Sequence, residues 1–305
     1  MKYVFFDNKI IPEEKAFISI TSPAFKFGAS IFEAMRSFSL DGINHVIPNF
    51  NLHITRLKNS LKILKYYFEI DEDKIKNIIS VLIKKNNIKY NSYIRITLYC
   101  DGCVKSSIFK GEEVEMKMCI TVTDNKVPEM KHNIINCCIS SWRRINDNCM
   151  HPRVKSACNY ENTRIAGVEA LENGYDNAIL LNEFGKISEA AESSIFFIKD
   201  NEIVTPDINS DILESINRKT ILEICDKYLS LHCIERVVSR TELYTADEIF
   251  LCNTAQLIRP VKCIDNIIIG DGEIGKLTNM IIDFYENALY GKLEIFEKYN
   301  CKISI

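Results

Sequence analysis

The stretch from Ser140 to Lys199, SSWRRINDNCMHPRVKSACNYENTRIAGVEALENGYDNAILLNEFGKISEAAESSIFFIK, restricts the fold more than any other part of the chain. It reads as an irregular segment around His151–Lys155, a helix near 161–173, the strand DNAILLN, a turn at Glu183–Gly185 and the strand SSIFFIK. A helix between strands returns the chain to its starting point, so residues far apart in sequence can meet. Lys155 follows a Pro-Arg-Val step without helical period and is expected on an irregular stretch or short strand, held by its neighbours. Glu189 is expected at the end of the hairpin NEFGKISE. With Tyr160 at the start of the intervening helix, the three can form one chemical site.

The rest of the chain supplies the frame. Tyr3–Phe6 and Ile10–Ile11 flank Asp7-Asn8-Lys9 as an opening hairpin, and a second hairpin turns at Asp41-Gly42. Apolar spacing predicts helices over 50–67 and 71–86; in the second, Ile75, Ile78, Ile79, Leu82 and Ile83 form one stripe. SYIRITLYC alternates, with Tyr93, Arg95, Thr97 and Tyr99 on one face and Ile94, Ile96 and Leu98 on the core face. The strand MKMCITVTD ends at Asp124, and VPEMKHN breaks the pattern. This places an N-terminal domain at 1–126, a linker at 127–133 and a C-terminal domain at 134–305. In the second half, strands at 134–141, 176–182, 193–199, 233–238, 248–252 and 264–269 interleave with helices near 161–173, 215–230 and 276–291. The fold class is α+β.

Composition excludes several functions. At 305 residues, 47% hydrophobic and 26% charged, the chain can build one large or two medium cores. A net charge of −3 gives no general attraction to nucleic acid or anionic lipid. The opening MKYVFFDNKIIPEEK loses its apolar run at Asp7 and reads as neither signal peptide nor membrane span. The 12 cysteines are scattered, several inside apolar runs, which fits reduced core thiols in a cytoplasmic protein. Cys100 and Cys103 have no second pair or nearby His, so no metal is expected.

The pattern SSWRR…PRVKSACNY…NGYDNAILLN..GKISEAAESSIFFI, with FGASIFEAMRSF, HITRL at 53–57, SYIR at 92–95 and CNTAQLIRPV at 252–261, resembles the fold-type IV pyridoxal-phosphate enzymes, the class IV aminotransferases. Within them it is most similar to branched-chain amino-acid aminotransferases, in the same order over nearly the whole chain. The resemblance implies a smaller N-terminal α/β sandwich-like domain and a larger mixed-sheet pseudo-barrel that binds pyridoxal 5'-phosphate. It implies transfer of an amino group between a branched-chain L-amino acid and 2-oxoglutarate. A D-amino-acid aminotransferase and an aminodeoxychorismate lyase share the fold and the lysine, while Tyr93-Ile94-Arg95 leans to the branched-chain type. A non-catalytic cofactor-binding or interaction protein would have no need for both Lys155 and Glu189.

Carried over residue by residue, the resemblance makes Lys155 the lysine that holds the cofactor aldehyde and moves the substrate proton. Glu189 is the acid beside the pyridine nitrogen, with Glu192 as a rival, and Tyr160 donates to the ring oxygen. Arg56, the amides of Ile216 and Asn217 at a helix N-terminus, and the Thr254 hydroxyl cradle the phosphate, with Ser215 as cap. Phe32, Tyr93, Arg95 and the Thr254-Ala255 turn hold the substrate, with Arg95 the candidate to assist the distal carboxylate of glutamate, directly or by ordering Tyr93. The chain departs from the family pattern at three places. Glu214-Ser215 replaces a Pro-Gly pair, so Glu214 must turn away from a phosphate; Phe27 replaces a tyrosine; and Thr123-Asp124-Asn125 replaces an aromatic-bearing segment. Phe5, Phe6, Val104, Ile108 and Phe109 lack partners within their own segments, which with the resemblance predicts a homodimer or a multiple of it.

Overall fold

The computed structural model describes all 305 residues. The chain divides into two compact units: Met1–Val127 with Val154–Cys158 and Asn287–Ile305, and Pro128–Arg153 with Asn159–Glu286. The sequence expectation had a single cut at 127–133. Two later segments join the first unit because backbone pairing, which local composition does not reveal, ties them there. Cys301–Ser304 pairs antiparallel with Asn44–Ile47, and Ser156 forms a bridge with Ile31.

The first unit is built on a seven-stranded antiparallel sheet. Ser30–Ser39 and Ser92–Asp101 are neighbours near its centre, and Glu115–Asp124 lies beyond them. On Ser92–Asp101, Ile94, Ile96 and Leu98 are fully buried, while Tyr93, Arg95 and Thr97 stay partly accessible, as the alternation predicts. Tyr99 departs from that face pattern: it is buried and stacks on Phe6.

Helix Glu72–Lys85 buries its predicted stripe of four isoleucines and a leucine, each contributing about 1.5–3 kcal/mol. Asp71 caps it by accepting the Lys74 amide, and acids at its start and lysines at its end complement the helix dipole. The preceding helix ends at Leu64, before the predicted residue 67, because Lys65 turns left-handed and returns its amide to the last carbonyls. Four of the five apolar residues expected to lack partners are covered within this unit. Phe5 and Val104 are buried, Phe6 meets Tyr99, and Phe109 stacks on Tyr66; Ile108 is 91% exposed.

The second unit carries a nine-stranded mixed sheet. Ile135–Arg143 sits between Leu257–Ile264 and Asn177–Leu181, parallel to both. The predicted hairpin is corrected here: the turn after Asn177–Leu181 leads into the short strand Ile187–Ala190, while Ser194–Lys199 pairs with Glu202–Pro206 and Glu248–Asn253. The strand placed at 264–269 is instead Leu257–Ile264, followed by the short strand Ile267–Ile268. Pro260 hides this strand in the sequence. It is accommodated because pairing with Ile135–Arg143 begins only at Val261. No helix is long and apolar enough to cross a membrane, no group of three or more His, Cys, Asp or Glu side chains could hold a metal, and no disulfide joins any of the 12 cysteines.

Candidate active site

In the first unit, the lysine is positioned by its backbone. Val154 is buried in the core, the Phe32 amide donates to the Lys155 carbonyl at 2.9 Å, and the Ser156 hydroxyl donates to the Ser30 carbonyl at 3.1 Å. The segment is therefore tied to Ser30–Ser39 on an irregular stretch through a single bridge between Ile31 and Ser156. Gly28 allows this approach: its φ of +66° is left-handed, and a Cβ there would come 3.2 Å from that of Cys158.

Phe32 is 3% exposed and serves as a platform for two cations. The Arg95 guanidinium lies 3.5 Å and the Lys155 ammonium 5.0 Å from its ring centroid. Arg95 also donates from Nε to Thr97 Oγ1 at 3.3 Å. Three of the named residues are thus brought together in this unit. Arg56 is bound twice by Glu33 at 2.7 Å, with His53 on the same carboxylate. Of the polar segment Thr123–Asn125, Asn125 accepts from Arg36 at 2.8 Å.

In the second unit, Glu189 lies on Ile187–Ala190, its side chain 8% exposed, whereas its rival Glu192 is an exposed residue with left-handed φ. Arg144 Nε stands 2.7 Å from Glu189 Oε1, and the Leu213 amide donates to Oε2 at 3.0 Å. The Arg144 contact is an ion pair outside hydrogen-bond geometry: its buried Nε and Nη1 find no acceptor. Tyr160 is the first residue of helix Tyr160–Glu172.

Helix Ile216–Lys227 begins as expected, with the Ser215 hydroxyl accepting the Arg218 amide at 3.3 Å. Helix geometry then leaves the Ile216 and Asn217 amides without intrahelical acceptors. Glu214 is drawn onto Arg153, Nε to Oε1 at 3.0 Å, so its charge is paired in the way its position requires. Asn217 Nδ2 donates to Thr254 Oγ1 at 3.3 Å, linking the helix start to the turn after Glu248–Asn253. That turn is rigid. Asn253 accepts the Gln256 amide at 2.6 Å and donates to Ser193 at 2.8 Å, and buried Leu257 adopts φ +59°, a strained conformation for a leucine.

These donors suit the expected cofactor. Helix amides and a hydroxyl suit a phosphate, and a buried carboxylate suits a protonated ring nitrogen. Sequence reasoning passed over Glu33, His53 and Arg144, although each stands in a quoted motif, FGASIFEAMRSF, HITRL and SSWRR. Their signal was a charged or polar residue inside an apolar or strand-like run, which shows only once burial is known.

Residues 30–264 match the family model for amino-transferase class IV. A probable branched-chain-amino-acid aminotransferase of Aquifex aeolicus is 35% identical over 98% of this chain and 96% of its own length. Among solved structures, a branched-chain amino acid aminotransferase from Thermobaculum terrenum in its PLP form superposes with a TM-score of 0.91 at 32% identity, covering 100% of this chain and 99% of that one. The T.th. branched-chain amino acid aminotransferase, complexed with N-(5'-phosphopyridoxyl)-L-glutamate, gives 0.88 at 26% identity, with 98% of each chain covered. A match of that extent, on a fold of two α+β units carrying these residues, shows that the chain belongs to the class IV aminotransferases, which use pyridoxal 5'-phosphate.

Proposed function

We propose that this enzyme moves an amino group between branched-chain L-amino acids and 2-oxoglutarate, with Lys155 as the catalytic base and Glu189 as the partner of the pyridine nitrogen. The carrying observation is the 35% identity over 98% of the chain to a relative named for that activity. The glutamate adduct described for the T.th. enzyme supports glutamate and 2-oxoglutarate as the second pair.

When bound, pyridoxal phosphate supplies an aldehyde that accepts the amino group and a ring that withdraws the electron pair from the substrate's α-carbon. The Lys155 amine would hold the cofactor aldehyde and serve as the base for the substrate's α-proton. Glu189, fixed on both oxygens, would keep a positive charge on the ring nitrogen, and Tyr160 would donate to the ring oxygen. Arg56, the Ile216 and Asn217 amides and the Thr254 hydroxyl hold the phosphate. The rigid Thr254-Ala255 turn offers amides to the substrate carboxylate. Tyr93 and the Phe32–Arg95 stack would border the substrate side chain, with Arg95 the candidate to assist the distal carboxylate of glutamate, directly or by ordering Tyr93.

An apolar pocket gains about 0.8 kcal/mol per buried methylene, so leucine, isoleucine and valine are expected to exceed alanine by about tenfold or more in kcat/KM. A panel of L- and D-amino acids with 2-oxoglutarate or pyruvate tests this. Faster turnover of D-alanine than of L-leucine would replace the branched-chain reading.

We also propose a homodimer or a multiple of it. The first unit leaves Phe17, Ile20, Phe25 and Ile108 between 64% and 91% exposed, an apolar surface that association would cover. Light scattering should give at least twice the 35.1 kDa chain mass; a fully active monomer would refute it.

A further inference from the structure

Glu33 stands on Ser30–Ser39, where residues 31–38 are all buried, and it is itself 0% exposed. A lone carboxylate there would cost several kcal/mol, so its donors have to compensate it. Helix Phe50–Leu64 supplies them from His53 and Arg56, an i, i+3 pair on one face. Arg56 Nε donates to Oε1 and Nη2 to Oε2, while His53 Nδ1 meets Oε2, each at 2.7 Å. Burial pushes the Glu33 carboxyl up, but the charge and hydrogen bonds of Arg56, with His53, outweigh it and hold it at about 2. Burial, with smaller effects from Arg56 and Lys155, holds His53 below the usual imidazole range despite Glu33. The neutral ring therefore donates from Nδ1 to an ionised carboxylate.

The arrangement goes beyond neutralising a buried charge. Two parallel bonds to one carboxylate fix the plane of a guanidinium, which a single contact does not. Glu33 keeps 1% of its side chain accessible and Arg56 keeps 13%, so the accessible part of the pair is the cation. We propose that Glu33, backed by His53, is a positioning residue that fixes the Arg56 guanidinium for the cofactor's phosphate. On this proposal, which rests on reading Arg56 as a phosphate ligand, the preference for pyridoxal phosphate over pyridoxal depends on Glu33. Arg56 is then ordered before the ligand arrives, and binding does not have to freeze a long side chain.

The test is equilibrium binding of pyridoxal phosphate and of pyridoxal to the full-length apoprotein, for the wild type, Glu33→Gln and Arg56→Ala. Glu33→Gln should weaken pyridoxal phosphate by about tenfold or more and leave pyridoxal nearly unchanged, with Arg56→Ala showing the same selective loss. A merely structural Glu33 would weaken both ligands equally; that result, or no loss, beside a selective loss in Arg56→Ala, overturns the positioning role alone. If Arg56→Ala itself shows no selective loss, the phosphate role of Arg56 fails, and the role of Glu33 with it. Should Glu33→Gln not fold, His53→Gln removes one of the three bonds: a reduced preference supports the proposal and an unchanged one overturns it.

Discussion

Lys155→Ala is expected to abolish transamination, lowering kcat by at least about 10⁴-fold, because in the proposed role one amine would both hold the cofactor and carry the proton. Its position makes this a clean experiment. The segment is held by the Phe32 amide on the Lys155 carbonyl, the Ile31–Ser156 bridge and buried Val154, none of which uses the amine. The variant forfeits the ammonium contact with the Phe32 ring, worth about 0.5–2 kcal/mol. It should therefore fold, and lost activity will report lost chemistry. In the wild type, borohydride should fix the cofactor to Lys155, detectable by peptide mass analysis. Fixation at another lysine, or an active Lys155→Ala, would remove the central assignment.

The second large effect concerns Glu189. On the proposed role, Glu189→Gln would remove the charge that keeps the ring nitrogen protonated, and kcat should fall by roughly 10²–10³-fold while Lys155 would still hold the cofactor. The geometry adds a consequence for stability. Glu189 is paired with Arg144, their side chains 8% and 5% exposed, and two Arg144 nitrogens already lack hydrogen-bond acceptors. Removing the carboxylate leaves a buried guanidinium uncompensated, at a cost of about 3–5 kcal/mol. Kinetics should thus be read well below the lowered melting temperature, with bound cofactor quantified by absorbance. Full activity would move the role elsewhere. Glu192 is a poor successor, since it is exposed in a turn, whereas Glu189 is held on both oxygens.

Much of this was legible in the chain, because periodicity is a local record of which face is buried. The stripe Ile75–Ile83 and the alternation of Ile94, Ile96 and Leu98 follow directly from helix and strand geometry. The cap at Ser215 is equally local, since the hydroxyl reaches an amide only three residues away. The motifs led to a family that the full-length match shows.

Tertiary structure decided what depends on distant partners. The strand register that gives Glu189 to Ile187–Ala190, and the return of Cys301–Ser304 to the first sheet, rest on hydrogen bonds between segments whose separation no local pattern encodes. Glu33, His53 and Arg144 went unassigned for a related reason: a charge in a sequence is ordinary, and only burial makes its pairing obligatory. Glu214 required the fold as well. Its carboxylate is paired because Arg153, 61 residues earlier, stands 3.0 Å away, and a Coulomb interaction depends on distance in space, not along the chain.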